Sequence, residues 1–469
     1  MATMNPALEP KKSKERHPFF ALILILLVIA VLGNFIPSGQ YVRETVDGIT
    51  RVDPQSYTVI DKLYTSVSMF FESFHFGVVN TASLMSLMFF VGFGFHVLQE
   101  IKLLDTAIYK LSGVLKKVPF LIVCLILMSV FIVIMWFTGL YDLAVVFIPM
   151  VVPLALALGY DVMTGAGLVL VACAVGFTAA LANPWFTGIA QPIAQLPLYS
   201  GMGYRAICTL VLLVPSLIYL MVYAKKVKAD PSKSVLADVD MPYQAVDENS
   251  GLQFTPRLIL AGLAFVAIFI YMIYGCLQKD FSYPQLSACF AAIGILCALI
   301  MGKGLNEICQ LMSDGMKSMF MAAAVMVFAR SVLYIMDQIL ITDTIIYALS
   351  FVVRILPSWL AAVGIFILQT IINFFIPSGS GQAAITMPIM IPLSDMAGIS
   401  RQVCCLASQF GDGLSNFIWP TVGSLLAILA GTSIPYSKWV KWFLPLFLIL
   451  TVTCCVLLVV AVQIGYGPF

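Results

Sequence analysis

Charge is scarce in this 469-residue chain: Asp, Glu, Lys and Arg make up 10% of it, against 61% hydrophobic residues and a mean hydropathy of +1.01. Soluble globular domains carry about 25% charged residues, so the composition excludes that class. Histidine is rarer still. His17, His75 and His96 have no helical spacing between them, and no metal site is expected. The chain contains no G-x-x-x-x-G-K-[ST] phosphate loop, no H-E-x-x-H and no Ser, His and Asp grouped within its apolar segments, so nucleotide hydrolysis and membrane-enzyme chemistry have no support. A net charge of +2 argues against a nucleic-acid partner, and nothing calls for a cofactor. Eleven cysteines lie almost wholly in apolar stretches; the adjacent pairs Cys404–Cys405 and Cys454–Cys455 suit small buried hydrophobes better than a ligand fork.

Long apolar runs dominate what remains. Residues 19–36, 81–99, 118–137, 139–160, 162–195, 203–224, 257–277, 283–302, 316–338, 358–376, 380–398, 403–433 and 442–463 form them, each long enough to cross a hydrocarbon core of about 30 Å as helix. The chain is therefore expected to be an all-α polytopic membrane protein whose solvent is the lipid bilayer. Its first run follows Lys11, Lys12, Lys14 and Arg16 but is too long for a signal h-region and has no cleavage site after it, so a retained anchor is expected.

Two octapeptides give the internal organisation. DTAIYKLS at 105–112 and DTIIYALS at 343–350 match at six of eight positions, and Pro119 and Pro357 keep the same offset. IPMVVPL at 148–154 then faces MPIMIPL at 387–393, and ANPWFTG at 182–188 faces SNFIWPTVG at 415–423. Internal repeats on this scale are typical of secondary transporters. Lys102, Lys110, Lys116 and Lys117 flank the first octapeptide, but only Arg354 flanks the second, so by the positive-inside rule the copies are expected on opposite faces. The expected order is a cytoplasmic segment 1–18, a first repeat 19–224, a cytoplasmic linker 225–256, an extra helix 257–277 and an inverted second repeat 283–469. This places the N-terminus inside and the C-terminus outside the cytoplasmic membrane. Within the copies, 118–160 and 358–398 read as re-entrant hairpins or as paired crossings, and 162–195 and 403–433 as broken helices.

Each hairpin is interrupted at its tip, by TGLYD at 138–142 and by IPSGSGQ at 376–382. Irregular backbone at membrane depth is tolerated only where protein buries it or water reaches it, so these breaks point to a wet pocket near the midplane. Helix ends meeting there offer N–H groups to anions and C=O groups to cations. Pro184 and Pro420 should unwind the following segments beside Asn183 and Asn416. Pro149, Pro153, Pro388 and Pro392 fit simple kinks, and Gly379 to Ala384 matches G-x-G-x-x-A without the strand a dinucleotide site needs. An acid at mid-membrane costs about 2.5 to 3.5 kcal/mol, which singles out Asp142 and Asp412. Arg330 and Asp337, seven residues apart on one helical face, are either a structural pair or cavity-lining charges. Asp161, Asp395 and Arg401 fall at hairpin ends, where a solvated boundary is expected.

PSGSGQAAITMPIMIPLSDMAGISRQ followed by QFGDGLSNFIWPT resembles the YfcC branch of the anaerobic four-carbon dicarboxylate carrier (DcuC-like) family, which includes arginine/ornithine exchangers of the ArcD type. In layout, MWFTGLYDLAVVFIPMVVPLA is similar to the hairpins of divalent anion:sodium symporters, with their Ser-Asn-Thr tips replaced. The resemblance, which extends to the ion transporter superfamily, implies a homodimer with a scaffold domain and a transport domain moving as an elevator. It also implies a substrate site walled by 138–142, 183–187, 378–382 and 412–421. The candidate ligands there are Thr138, Gly139, Tyr141, Asp142, Asn183, Pro184, Thr187, Ser378, Gly379, Ser380, Gly381, Gln382, Asp412, Ser415, Asn416 and Thr421.

The expected function is secondary active transport of a small polar metabolite, coupled to H+ or Na+ or run as exchange. Two acids and no arginine in the four breaks favour an amino acid, with a basic one such as arginine or ornithine fitting best. A four-carbon dicarboxylate or another carboxylate is the first alternative and an ion channel the second.

Overall fold

A computed structural model describes residues 18–46, 49–52, 56–239, 241, 252–278, 281–353 and 356–467. The basic N-terminal segment, most of the linker after residue 239, and Arg354 lie outside these. Among the described residues, seven helices are long and apolar enough to cross a membrane.

Helix α1 (Pro18–Leu32) leads into the one set of strands among the described residues, four short ones: β1 (Gly39–Gln40), β2 (Arg43–Val46), β3 (Ile49–Val52) and β4 (Thr58–Val59), with β1 antiparallel to β4 and β2 to β3. Helix α2 (Val67–Glu100) begins where the Ser66 side chain accepts from the amide of Met69, and 34 residues give it a length of about 50 Å. It is the hub of one helical group, packing on α10 (Tyr283–Ile300), the amphipathic α11 (Leu305–Ser318) and α12 (Phe320–Gln338). Small residues permit the approach: a Cβ on Gly92 would lie 2.4 Å from the carbonyl oxygen of Gly315. The run expected at 316–338 is thus divided at Met319 into the end of α11 and α12. Helix α9 (Pro256–Gln278) packs on α10 in the same group.

A second group holds the two helix–turn–helix pairs, called hairpins below for their shape alone, and both broken helices. Amphipathic α3 (Leu103–Leu115) enters it and is followed by α4 (Phe120–Thr138), α5 (Ala144–Ala157), α6 (Val162–Thr178), α7 (Thr187–Ile193) and α8 (Met202–Ala229). The second copy repeats the order as α13 (Thr342–Val353), α14 (Ser358–Phe375), α15 (Gly379–Met396), α16 (Arg401–Ser415), α17 (Gly423–Gly431) and α18 (Tyr436–Gln463). The broken helices are shorter than the apolar runs expected for them. Thr178 ends α6 and Ser415 ends α16; irregular chain then separates each from its short second piece.

The repetition extends to backbone conformation. Lys102 and Leu340 adopt positive φ three residues before each Asp of the octapeptides, Gly159 and Gly398 do so after α5 and α15, and Gln195 and Ser433 after α7 and α17. Pro119 and Pro357 cap α4 and α14, and the side chains of Asp161 and Ser400 cap α6 and α16. At the centre of this group residues 162–180 and 402–418 are all buried. There α6 and α16 meet at their C-terminal ends, where a Cβ on Gly413 would lie 2.5 Å from the Cα of Thr178.

Candidate functional site

The first hairpin turns at Gly139, which closes α4 in the left-handed region at φ +58°. A Cβ there would stand 2.3 Å from Oδ1 of Asn183, so the tip and the first break are built against each other. Asn183 Oδ1 accepts from the amides of Trp185 (2.9 Å) and Phe186 (3.3 Å), a local turn that ends the irregular stretch after α6. Trp185 Nε1 donates to the Thr138 carbonyl (3.0 Å), stitching the break back to the tip. A short 3-10 turn, Tyr141–Leu143, then carries Asp142, whose Oδ2 accepts from the hydroxyl of Tyr283 at 2.6 Å. That bond joins the second helical group to α10 of the first.

The second tip is built differently. Ser378 caps α15, accepting from the amide of Gly381, and Gly379 and Ser380 form its half-buried first turn. Behind it stands Asp412, whose Oδ2 lies 3.3 Å from where a Cβ of Gly379 would be. Asp412 is fully buried, and neither of its carboxylate oxygens has a hydrogen-bond partner among the described residues. Its carbonyl accepts from Asn373 Nδ2, which also donates to Ser415 Oγ (2.8 Å) and Asn416 Oδ1 (2.9 Å).

Both tips open onto one cavity of about 240 Å³. Of the residues nominated from sequence, Gly139, Tyr141, Asp142, Ser378, Gly379, Ser380 and Thr421 line it, and so does Arg330. Thr138, Asn183, Pro184, Thr187, Gly381, Gln382, Asp412, Ser415 and Asn416 do not reach its wall: Pro184 is exposed and Gly381 half-buried, and the other seven are buried in the packing around it. Gln382 is the plainest case, since its amide donates to the carbonyl and side chain of Gln369 inside the hairpin. Asp337 is exposed, interacts with Thr342 Oγ1, and makes no ion pair with Arg330 among the described residues. Of the two charges, Arg330 alone lines the cavity.

Thr81, Leu84, Phe177, Tyr283, Met326 and Ser424, which sequence reasoning missed, complete the lining together with Leu140, Trp185, Pro377 and Gly423. Trp185 lies inside the NPWFTG break and was within reach of that motif. Thr81 and Met326 belong to ordinary apolar helices, and only packing reveals them. The wall thus combines a carboxylate from one hairpin, a guanidinium from α12, hydroxyls, and the N-terminal turn of the 18-residue α15. No group of three or more His, Cys, Asp or Glu that could hold a metal occurs among the described residues.

YfcC of Escherichia coli (strain K12), named "Putative basic amino acid antiporter YfcC", is 28% identical, with 96% of each chain covered. A protein of Haemophilus influenzae (strain ATCC 51907 / DSM 11121 / KW20 / Rd) with no described activity is 30% identical over 88% of this chain and 81% of its own. Two solved transporters align at 16% identity: YdaH of Alcanivorax borkumensis (TM-score 0.43, covering 97% of this chain and all of that one) and MtrF of Neisseria gonorrhoeae (TM-score 0.44, 97% of each). The family model described as C4-dicarboxylate anaerobic carrier, DcuC, matches residues 17–463, and the chain belongs to that family of multi-pass membrane transporters.

Proposed function

We propose that the protein is a secondary carrier for an amino acid, with a basic one such as arginine or ornithine as the best fit, working by exchange or by coupling to H+ or Na+. One observation carries the reading: the cavity joining both hairpin tips presents Asp142 and Arg330 to the same space. A carboxylate and a guanidinium on one wall match the ammonium and carboxylate of a zwitterion. The volume of about 240 Å³ lies below the roughly 300–1,000 Å³ of drug-sized sites and suits one small metabolite. The name of the YfcC relative points the same way.

In the proposed cycle Asp142 exchanges its hydrogen bond from Tyr283 for the substrate's cationic group, while Arg330 and the first turn of α15 receive the carboxylate. Asp412, behind the second tip with bare oxygens, takes the coupling proton or cation. Motion of the hairpin group against the α2 group then alternates access, elevator fashion, with the two copies inverted in the cytoplasmic membrane and the protein acting as a homodimer. The N-terminus lies inside and the C-terminus outside in this arrangement.

Arg330 and the α15 terminus also favour a second reading, in which a dicarboxylate occupies the cavity and Asp142 is only a scaffold contact. Counterflow in liposomes separates the two. Vesicles loaded with arginine should accumulate labelled arginine, and excess succinate should leave that uptake unchanged. Uptake driven by loaded succinate instead would replace the amino-acid reading with the dicarboxylate one, and flux without counterflow would replace a carrier with a channel.

A further inference from the structure

Arg205 is the fourth residue of α8, inside an apolar run of membrane length, and it has no exposed surface. No ion pair among the described residues includes it. Its Nη1 donates to Thr187 Oγ1 and Gln409 Oε1, both at 2.8 Å, and to the Ala180 carbonyl at 3.4 Å, while Nε and Nη2 have no partner among the described residues. An unpaired buried guanidinium is costly, so something in its surroundings must favour positive charge.

The carbonyl end of α6 supplies it. Ala180 O accepts from Arg205 and from Gln409 Nε2, Phe177 O accepts from Gln409 Nε2, and Ala179 O accepts from Thr209 Oγ1. They lie in the last turn of a 17-residue helix that carries no charged residue, at Phe177, and just past its end, at Ala179 and Ala180, where the helix dipole presents its negative end. The second copy offers an internal control. Trp439, the fourth residue of α18, is fully buried and donates through Nε1 to the Phe417 carbonyl at 2.8 Å, two residues past the end of α16. The same geometry there is served by a neutral donor, and α16 itself carries Asp412.

We infer that Arg205 is a tethered cation at the first break: a positioning residue that holds the carbonyl end of α6 in its unwound form and stands where a mobile cation would otherwise be needed. Asp412 is then the one place near the breaks where coupling charge changes during the cycle. This rests on the carrier reading, in which broken helix ends are ion positions.

Thermal unfolding of the purified full-length protein tests the placement without any substrate. Arg205→Lys should unfold close to wild type and Arg205→Ala well below it. Guanidinium at about 10 mM should raise the midpoint of the Ala variant and leave wild type unmoved. In liposomes Arg205→Gln should lose about 100-fold in rate while Arg205→Lys stays within about tenfold of wild type. Equal behaviour of the Gln variant and wild type, or an Ala variant insensitive to guanidinium, overturns the inference. Accumulation of the Lys variant when the Ala and Gln variants fail to accumulate supports it. Should none accumulate, wild type decides: transport rising no more steeply than first order in H+ or Na+ supports a single mobile charge, and a steeper dependence overturns it. Absence of transport in wild type itself would count against the carrier function and leave the unfolding test of Arg205 intact.

Discussion

The two breaks are copies of one design that carry opposite chemistry. At the first, the chain after α6 is closed on itself: Asn183 fills the space beside Gly139, Trp185 reaches back to the Thr138 carbonyl, and a buried guanidinium faces the carbonyls. At the second, Asn373 gathers Ser415 and Asn416, a neutral indole meets the Phe417 carbonyl, and Asp412 keeps both carboxylate oxygens bare. Caps and positive-φ positions are repeated because they fix where the chain turns. Polar side chains are free to diverge once those turns are set. In the carrier proposed above, the contrast assigns a fixed structure to the first break and protonation or ion binding to the second.

Asp412→Asn tests that contrast most severely. The amide keeps size and removes the buried charge, so transport should fall by at least about 100-fold. Stability should hold or rise, because a buried carboxylate without partners burdens the folded state. Counterflow and a thermal melt on the same preparation measure both. A lower melting point together with lost transport would make Asp412 a structural residue and remove the functional difference between the breaks.

Glycines at the two tips sharpen the comparison at a smaller scale. Gly139→Ala forces a residue with a side chain into the left-handed region, about 1–2 kcal/mol, and drives its Cβ into Asn183 at 2.3 Å. Gly379→Ala places its Cβ 3.3 Å from Asp412 Oδ2, a contact a small shift relieves. Chemical unfolding should therefore show a loss of about 2–3 kcal/mol for the first and under about 1 kcal/mol for the second, whose effect should fall on substrate or ion affinity instead. Equal losses would mean that the second tip is as rigidly packed as the first.

How far these differences were legible in the sequence follows from what each signal reports. DTAIYKLS and DTIIYALS, with Pro119 and Pro357, located both copies because octapeptide identity survives wherever local turns are constrained. TGLYD and IPSGSGQ located the tips because Gly and Pro interrupt an apolar run visibly. Arg205 was not visible: one guanidinium in a run such as 203–224 barely changes its hydropathy, and its partners Thr187 and Gln409 come from elements far along the chain. Gln382 was overvalued for the converse reason, since Gln369, thirteen residues away, absorbs its amide. Tyr283 became a site residue only through the turn that brings α10 to Asp142. The strands at 39–59 left no alternating apolar pattern to read; β1 is held just ahead of α13, where Gly39 N donates to Leu340 O at 2.9 Å, and β3 packs on α15.

The smallest expected effect separates the two octapeptides. Asp343 is buried at the start of α13, accepting from the Tyr41 amide at 3.0 Å and pairing with Arg43 at 2.7 Å, while Asp105 at the start of α3 pairs with Lys102 at 3.2 Å on the surface. Arg43 is itself 37% exposed, so solvent screens the charge part of its pair. Asp343→Asn keeps an acceptor for Tyr41 and should cost about 1 kcal/mol in chemical unfolding, against about 0.3 kcal/mol or less for Asp105→Asn. Added salt should shrink the Asp105 effect and leave most of the Asp343 effect, because screening acts on exposed charges and hardly on a buried acceptor. Equal and equally salt-sensitive losses would show that the strands after α1 exert no hold on α13, and the two copies would then differ at their breaks alone.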